Sequence, residues 1–518
     1  MKKLPVGIAA LEEIIRDEYI YVDKTKFVEQ LVKQGRYYFL SRPRRFGKSL
    51  IVDTLKQAFL GNKEVFKGLY LENHWDFETT YPVIHIDFGI GEIRNYAQLE
   101  TTMISMLNKI AASYQLELTE ILISSKFEEL IRKLKQKYKQ NVVILIDEYD
   151  KPMLDNITDS ALCSEIRRGL RDLYSVIKGM GASIQFVFLT GVSKFSKAGL
   201  FSGLNNLEDI SLNSQYADIC GYTQAEIESI FSEYLKLGNV DLTTLKRWYN
   251  GYNFLGTDAQ KVYNPFDILL FCKNDYIYKS YWFNTGTPAF LVRLFEKNNY
   301  FIPAILDGAM IDADEIDLFD IDNIPILALL FQTGYLTIDR QITTDESLEY
   351  ELRYPNIEVK RSLNRHLAQI GTTPEAAYTS ISKLRNYIRN ADFEGVGELF
   401  GSHFASIPHH WYTKNNISQH EGFYAGIVYS IICALGFESI PEDMTNTGRI
   451  DLSIRAADKT VILEFKLSTN GDAQSAIEQI KQRGYADKYK SLKLPIYLLG
   501  VSFDPETRNL SDYKWEVL

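Results

Sequence analysis

The stretch YYFLSRPRRFGKSLIVDTLKQAF (residues 37–59) passes from a short β-rich run through a basic loop into a helix-forming segment. This order of strand, loop and helix is typical of a parallel α/β unit. Gly47, Lys48 and Ser49 stand where a phosphate-binding loop has Gly-Lys-Ser, with backbone N–H groups and a helix N-terminus facing the phosphates. The sequence therefore predicts a nucleotide site in which Lys48 bridges the β- and γ-phosphates and Ser49 holds Mg²⁺.

The loop departs from the pattern G-x-x-x-x-G-K-[ST] at its first position, where Arg42 replaces glycine. A Gly-Lys-Ser/Thr triplet alone is a weak indication, since it arises by chance in roughly one chain in four of this length. Arg44 and Arg45 add positive charge beside the predicted phosphates, and Phe46 completes the loop before Gly47.

Three further apolar runs, at 82–88, 141–148 and 184–191, alternate with helical stretches and predict more strands of the same parallel sheet. Asp147 and Glu148 end the second of these runs, at the sheet edge where ligands of open parallel sheets bind. Asp147 suits the Mg²⁺ shell, and Glu148 suits orienting or deprotonating the attacking water. Thr190 could sense the γ-phosphate from the adjacent strand. Acids that end a strand in solvent, and a plain strand-end threonine, are the alternatives.

Composition limits the remaining classes. A chain of 518 residues with 46% hydrophobic and 13% aromatic content suits about two to four well-packed domains. The net charge of −10 and pI near 5.4 predict a soluble cytoplasmic protein, in which nucleic-acid binding needs a local basic patch. The four cysteines are scattered, as expected for reduced thiols. The apolar run 324–331 is too short to span a bilayer, so no membrane partner is expected.

The tail from about residue 375 has a separate rhythm of helix, three strands, helix and strand. Its segment GRIDLSIRAADKTVILEFKLS (448–468) has twelve residues between Asp451 and Glu464, followed by Lys466. A hairpin turning at 456–459 pairs Asp451 with Glu464, and like charges directly opposite are destabilising unless a divalent cation coordinates both. Lys466 shares the strand face of Glu464 and could orient a water or stabilise the charge of a pentavalent phosphate. The pattern predicts a metal-dependent nuclease site.

Two helical residues are further candidates. Glu421 ends the capping box SQHE (418–421), yet it also lies on the apolar stripe that should pack on the sheet, so capping and active-site roles both stay open. Gln479 lies on the next predicted helix, and a solvent-facing glutamine is its alternative. The same segment has five bases that could meet a phosphate backbone or form a solvated face: Lys481, Arg483, Lys488, Lys490 and Lys493.

The loop RPRRFGKS, together with YVDKTKFV (21–28), LIDEYDKP (145–152), 189–210 and VYNPFDI (262–268), resembles the AAA-ATPase-like family. That resemblance makes arginine in place of the first glycine a usual feature, and it implies a frequent C-terminal PD-(D/E)xK nuclease-like domain. The last hundred or so residues resemble that superfamily, with Ile450 before Asp451 instead of proline. Gln479 matches the polar position that such nucleases often direct at the site. The family's architecture suggests mobile-element or defence contexts in bacteria.

We therefore expect an α/β protein in three parts: a P-loop NTPase domain with a RecA/AAA-like parallel sheet (1–215), a mostly helical middle or lid region (216–372) and a restriction-endonuclease-like domain of α-β-β-β-α-β order (373–518). The expected cofactors are ATP and Mg²⁺, and the expected partner is DNA or RNA. Copies could also associate as a homo-oligomer through the ATPase domain. The expected activities are ATP binding with hydrolysis and Mg²⁺-dependent phosphodiester cleavage. The alternative is a nucleotide-regulated interaction protein whose tail binds nucleic acid or protein without cutting.

Overall fold

The computed structural model describes residues 1–91, 93–157, 159–194, 206–285, 308–316, 325–343, 347–367, 374–405 and 421–518. Their contacts divide the chain into two compact units. The first is Met1–Thr287 with Gly308–Asn356, and the second includes Ile357–Leu518. Most of the described middle region thus groups with the N-terminal part, and the three-part division at 215 and 372 stays a prediction.

A five-stranded parallel sheet forms the centre of the first unit, in the order β2-β3-β4-β1-β5. Its strands are β1 (Tyr37–Ser41), β2 (Val83–Asp87), β3 (Val142–Asp147), β4 (Ile184–Gly191) and β5 (Glu208–Asp209). The four strands that the sequence predicts are confirmed to within one residue at each end. Strand β3 is buried along its whole length, as expected for a parallel strand covered on both faces.

Amphipathic helices cover this sheet. Phe127, Leu130, Ile131 and Leu134 are buried on one helix with the spacing that places them on a single face. The helices of this part are α1 (Leu11–Arg16), α2 (Lys26–Gln34), α3 (Lys48–Phe59), α4 (Tyr96–Ser113), α5 (Ile123–Tyr138), α6 (Lys151–Leu154) and α7 (Ser160–Gly179).

The rest of the first unit is helical, as predicted, but it also contains an antiparallel sheet that the sequence analysis did not predict. Its helices are α8 (Gln224–Ile230), α9 (Ser232–Leu237), α10 (Leu242–Tyr249), α11 (Pro265–Lys273), α12 (Trp282–Thr285), α13 (Ala313–Ile316) and α14 (Ile326–Gln332). Its strands are β6 (Tyr222–Thr223), β7 (Val262–Tyr263), β8 (Ala309–Asp312), β9 (Thr337–Thr343) and β10 (Leu348–Arg353). The last three form the sheet, in the order β8-β10-β9.

The second unit contains a five-stranded mixed sheet in the order β11-β12-β13-β14-β15, in which only the β13–β14 pair is parallel. The strands are β11 (Glu438–Met444), β12 (Arg449–Arg455), β13 (Thr460–Leu467), β14 (Ile496–Asp504) and β15 (Asn509–Val517). The helices are α15 (Ile357–Leu367), α16 (Pro374–Arg389), α17 (Phe393–Ala405), α18 (Glu421–Leu435), α19 (Ala473–Gln482) and α20 (Asp487–Lys490).

The predicted order α-β-β-β-α-β is confirmed by α18, β11, β12, β13, α19 and β14. One further strand, β15, pairs antiparallel with β14 and was not predicted. The single helix expected over 472–489 is interrupted after Gln482, because Gly484 adopts a left-handed conformation (φ 63°) that ends α19.

Two apolar cores hold this sheet. Leu452, Leu463 and Phe465 belong to one core with Tyr424 and Val428 of α18. A second core contains Ile462 of β13 and Leu498 of β14 with Ile477 and Ile480 of α19. The alternation along β13 therefore places Glu464 and Lys466 on the same face as Ile462, toward α19.

Within the described ranges, no helix is both long and apolar enough to cross a membrane.

Candidate functional sites

The phosphate-binding loop of the first unit connects β1 directly to α3. Its left-handed turns lie at Arg45 (φ 66°) and Gly47 (φ 97°), whereas position 42 needs no glycine. Gly47 is the N-cap of α3, and no side chain caps the first turn of that helix. Its first N–H groups are therefore oriented as an anion site.

Lys48 is buried at the start of α3, and its ammonium donates to the carbonyl oxygens of Arg42 (2.9 Å) and Pro43 (3.0 Å). Burial lowers the pKa of Lys48, and the charges of Asp147, Glu148 and Asp150 act in the opposite direction. The loop lysine and the acids that end β3 therefore belong to one electrostatic site.

A cavity of about 500 Å³ opens on this loop. Six residues predicted to bind the nucleotide line it: Arg44, Arg45, Phe46, Gly47, Lys48 and Ser49. Glu148 also lines the cavity, and burial raises its pKa. Apolar residues from the N-terminal segment and from α11, among them Ile8 and Phe266, complete the walls. The size and the mixture of basic loop and apolar wall suit a nucleotide.

Asp147 and Thr190 end neighbouring strands and contact each other. The Thr190 hydroxyl donates a hydrogen bond to Oδ1 of Asp147, and both side chains are buried. Thr190 is thus placed to orient Asp147, and the γ-phosphate contact that the sequence suggested stays a prediction.

Asp150 was not singled out from the sequence, although it lines the same cavity. Its Oδ2 accepts hydrogen bonds from the backbone N–H groups of Val192 (3.0 Å) and Ser193 (2.6 Å), and from the Ser193 hydroxyl (2.7 Å). Burial raises the pKa of Asp150. The third acid of DEYD (147–150) was the available signal, because Asp150 lies in the turn that follows β3.

The second candidate site lies where β12 and β13 pair. The predicted register is confirmed: Arg455 pairs with Thr460 and Leu452 with Leu463. Just beyond these pairs, Oδ2 of Asp451 accepts a hydrogen bond from the backbone N–H of Phe465 at 2.8 Å. Asp451 is therefore fixed on the backbone next to Glu464, although the strand ladder ends at Leu452–Leu463 and does not extend to the predicted Asp451–Glu464 pair.

Glu464 is the centre of this cluster and is only 2% exposed. Nε2 of Gln479 donates to its Oε1, and Nζ of Lys466 lies 3.5 Å from the same oxygen. Its other oxygen, Oε2, has no hydrogen-bond partner in the part of the chain that the structure describes. A buried carboxylate oxygen without a donor is costly and points to a missing ligand.

The carboxylates of this site are electrostatically strained. The pKa of Glu464 is raised to about 8, because burial and, after it, the charge of Asp451 outweigh the opposing charge of Lys466. Burial likewise raises the pKa of Asp451, against the Phe465 hydrogen bond and the charge of Lys466. Such an arrangement disfavours two negative charges unless a cation is present.

Glu421, the first residue of α18, belongs to the same cluster. Burial and the charge of Asp451 raise the pKa of Glu421, while Lys466 and a hydrogen bond from the Leu467 backbone lower it. The alternative capping role depends on Ser418, which lies outside the described residues. The histidine pair 409–410 also lies outside them.

Gly500 is a part of this site that the sequence analysis missed. It pairs with Glu464 across β13 and β14. A Cβ at this position would lie 2.0 Å from the carbonyl oxygen of Ala473, so only glycine allows α19 to approach the sheet. That approach brings Gln479 to Glu464. A glycine inside the predicted strand 495–503 was the available signal.

The predicted basic face of the tail is largely neutralised. Lys481 pairs with Glu516, Lys488 with Asp443, and Lys490 with Asp487. Arg483 is close to the Thr447 carbonyl at 3.5 Å. These pairs favour the solvated-face interpretation of the segment over a phosphate-backbone patch.

The phosphate loop on a parallel sheet and the paired carboxylates on a mixed sheet together define an AAA-ATPase-like domain joined to a PD-(D/E)XK nuclease-like domain. Comparison with known proteins agrees. Residues 5–201 match the family model described as "Predicted AAA-ATPase", and residues 419–513 match the PD-(D/E)XK nuclease superfamily. The chain is also 44% identical over 520 residues to the "Uncharacterized protein in vnfD 5'region" of Azotobacter chroococcum mcd 1, covering 100% of this chain and 99% of that protein. The chain belongs to this family of AAA-ATPase-like proteins with a nuclease-superfamily C-terminal domain.

Proposed function

We propose that the protein binds and hydrolyses ATP at the cavity of the first unit and cleaves nucleic-acid phosphodiesters, with Mg²⁺, at the carboxylate cluster of the second. The observation that carries the nuclease proposal is Glu464: it is buried, it lies beside Asp451, and its Oε2 has no donor within the described residues. A divalent cation is the ligand that such a pair of carboxylates would accept.

The donor set fits Mg²⁺ in chemistry and charge. Mg²⁺ prefers oxygen ligands, is commonly held by one or two carboxylates and keeps several waters. Asp451 and Glu464 supply two carboxylates. When bound, the ion would lower the pKa of a coordinated water and neutralise charge on the phosphate.

The surrounding residues have distinct roles in this proposal. Gln479 orients Glu464 by donating to Oε1, which would leave Oε2 to coordinate the ion. Lys466 supplies a positive charge beside Glu464 that can stabilise negative charge on the phosphate during cleavage. Glu421, next to Asp451 and Lys466, would accept a proton from a water at the site.

The ATP proposal rests on the loop and the cavity. Lys48 and the uncapped N-terminus of α3 would hold the phosphates, while Ser49, in the cavity wall, and Asp147, which is not one of the wall residues, would hold Mg²⁺. Glu148 lines the cavity, and its raised pKa suits a residue that orients or deprotonates water. Thr190 would keep Asp147 in place through their hydrogen bond.

A digestion assay with the full-length protein tests the nuclease proposal. Single- and double-stranded DNA and RNA are incubated with and without Mg²⁺ and ATP. We expect the wild type to cut at least one substrate in Mg²⁺ only, and Lys466→Ala to cut about 100-fold more slowly. Equal rates for Lys466→Ala and wild type would exclude this site.

The alternative is a nucleotide-regulated interaction protein. It predicts nucleic-acid or protein binding that survives EDTA and no cleavage with any divalent metal. The same assay, run beside a mobility-shift measurement, separates the two functions.

A further inference from the structure

Arg42, which replaces the first glycine of the phosphate loop, is a fully enclosed cation. Its side chain is 1% exposed. Nη1 donates to the carbonyl oxygens of Ser41 (2.9 Å) and Ser211 (2.8 Å), and Nη2 donates to that of Tyr216 (2.9 Å). The guanidinium carbon also lies 3.9 Å from the ring centre of Phe254, a cation–π distance. The side chain thus connects β1 with the segment that follows β5 and with the middle region.

The cost of burying this charge suggests that it has a role. Burial lowers the pKa of Arg42 to about 10, so the group stays cationic near neutral pH. A buried cation is expensive unless several partners compensate it, and an apolar residue would fill the same space at lower cost. The partners of Arg42 are backbone carbonyls and an aromatic ring, which fix its position.

The main chain of Arg42 contacts the phosphate-binding lysine. Lys48 donates from Nζ to the carbonyl oxygen of Arg42 at 2.9 Å and to that of Pro43 at 3.0 Å. These two hydrogen bonds fix the position of the Lys48 ammonium beside the cavity. The side chain of Arg42 holds the first of the two carbonyls, because the guanidinium is tied to three carbonyls outside the loop turn.

The second carbonyl is held from the opposite side. Pro43 packs so closely on Gly334 that a Cβ there would lie 2.6 Å from the proline ring. The indole N–H of Trp282 donates to the Arg44 carbonyl at 2.9 Å. The segment before Lys48 is therefore held at Arg42, Pro43 and Arg44, and the left-handed turns of the loop lie further on, at Arg45 and Gly47.

We propose that Arg42 is a positioning residue for nucleotide binding, whose guanidinium holds the first of the two loop carbonyls on which Lys48 rests. The inference depends on the proposed ATP site. In this proposal the Arg42 side chain fixes the loop backbone, which in a glycine loop is fixed by close backbone packing. Arg42 should therefore affect nucleotide affinity only by positioning Lys48.

A double-mutant cycle tests this coupling by calorimetric titration of the full-length protein with ATP. We expect Lys48→Ala to weaken ATP binding at least tenfold and Arg42→Lys to weaken it about tenfold, since lysine cannot bond all three carbonyls. In the Lys48→Ala background, Arg42→Lys should cause no further loss. Arg36→Lys is the matched control, because Arg36 also donates to backbone carbonyls, at the other end of β1, and should leave ATP affinity unchanged.

The outcomes separate the two proposals. Unchanged affinity in Lys48→Ala would contradict the ATP site itself. If Lys48→Ala weakens binding but Arg42→Lys does not, or weakens it by the same factor in both backgrounds, the positioning role is wrong. Should Arg42→Lys fail to fold, Phe254→Leu replaces it in the same cycle. We then expect ATP affinity to fall about threefold in the protein that keeps Lys48 and not at all in Lys48→Ala. A loss independent of Lys48 would again overturn the inference.

Discussion

Asp451 accepts a hydrogen bond from the backbone N–H of Phe465 at 2.8 Å, and this bond fixes the carboxylate beside Glu464. In an undistorted antiparallel pair the two acids would only face each other across the strands. Here Asp451 bonds to the neighbouring strand itself, so its position depends on the backbone of β13. The two acids stay adjacent although burial raises the pKa of both.

Gln479→Ala should reduce Mg²⁺-dependent cleavage about tenfold, because it removes the donor that orients Oε1 of Glu464. The rate is measured at saturating Mg²⁺ on the substrate that the wild type cuts best. Gln482→Ala, an exposed glutamine on the same helix, is the control and should cut normally. Similar rates for Gln479→Ala and Gln482→Ala would show that Gln479 does not orient the site.

Gly500→Ala should separate α19 from the sheet, because its Cβ would lie 2.0 Å from the Ala473 carbonyl. We expect destabilisation of about 2 kcal/mol and loss of cleavage, since Gln479 moves with the helix. Thermal unfolding and the cleavage rate check both effects. At Gly401 an added Cβ would meet only Leu510, at 3.8 Å, so Gly401→Ala should be tolerated. A fully active Gly500→Ala protein would be inconsistent with this packing.

Glu464→Gln should change how stability depends on pH in metal-free buffer. The pKa of Glu464 is about 8 in the folded protein and about 4.3 in an unfolded chain. Between these values the folded state binds the extra proton, so the free energy of unfolding falls as pH rises. Glutamine stays neutral over this pH range, so the free energy of unfolding of Glu464→Gln should not fall for this reason.

We therefore expect Glu464→Gln to unfold about 3 °C or more above the wild type at pH 8.5, and near the wild type at pH 5. Thermal melts in EDTA across this range measure the difference. Parallel curves for the two proteins would indicate that Glu464 titrates normally.

Glu148→Gln should separate ATP binding from ATP hydrolysis. Glutamine keeps the shape of the side chain in the cavity but cannot accept a proton from water, so turnover should fall about 100-fold with ATP affinity within about threefold of wild type. Phosphate release and calorimetric titration measure the two properties. Glu120→Gln changes an exposed acid elsewhere in the same unit and should alter neither. Normal turnover in Glu148→Gln would show that another residue orients or deprotonates the water that attacks ATP.

The sequence predicted the parallel strands and the hairpin register well, because both depend on local patterns. The runs at 37–41 and 184–191 are short and mostly apolar or aromatic, and the turn at 456–459 leaves one register in which Leu452 and Leu463 are buried together. Strand β15 was not predicted, and charged residues alternate along it, as in Asp512, Lys514 and Glu516, where an apolar run would have indicated a buried strand.

Contacts between distant segments could not be predicted. In the sequence, Arg42 is a departure from the glycine-loop pattern. Its contacts with Ser211, Tyr216 and Phe254, which suggest the positioning role, are visible only in the folded protein. Gly500 likewise gains its meaning from the carbonyl of Ala473 on another element. Residue types and spacing thus identified the acids and lysines, while the residues that position them depend on tertiary packing.

The central claim is that Asp451 and Glu464 share a divalent ion and use it to cut nucleic acid. Its most direct test is the Mg²⁺-dependent cleavage rate of Asp451→Asn beside Asp458→Asn, which changes an exposed acid at the turn of the same hairpin. The account predicts that Asp458→Asn cuts like the wild type and that Asp451→Asn is slower by about 100-fold or more. Equal cleavage by Asp451→Asn and the wild type would contradict it.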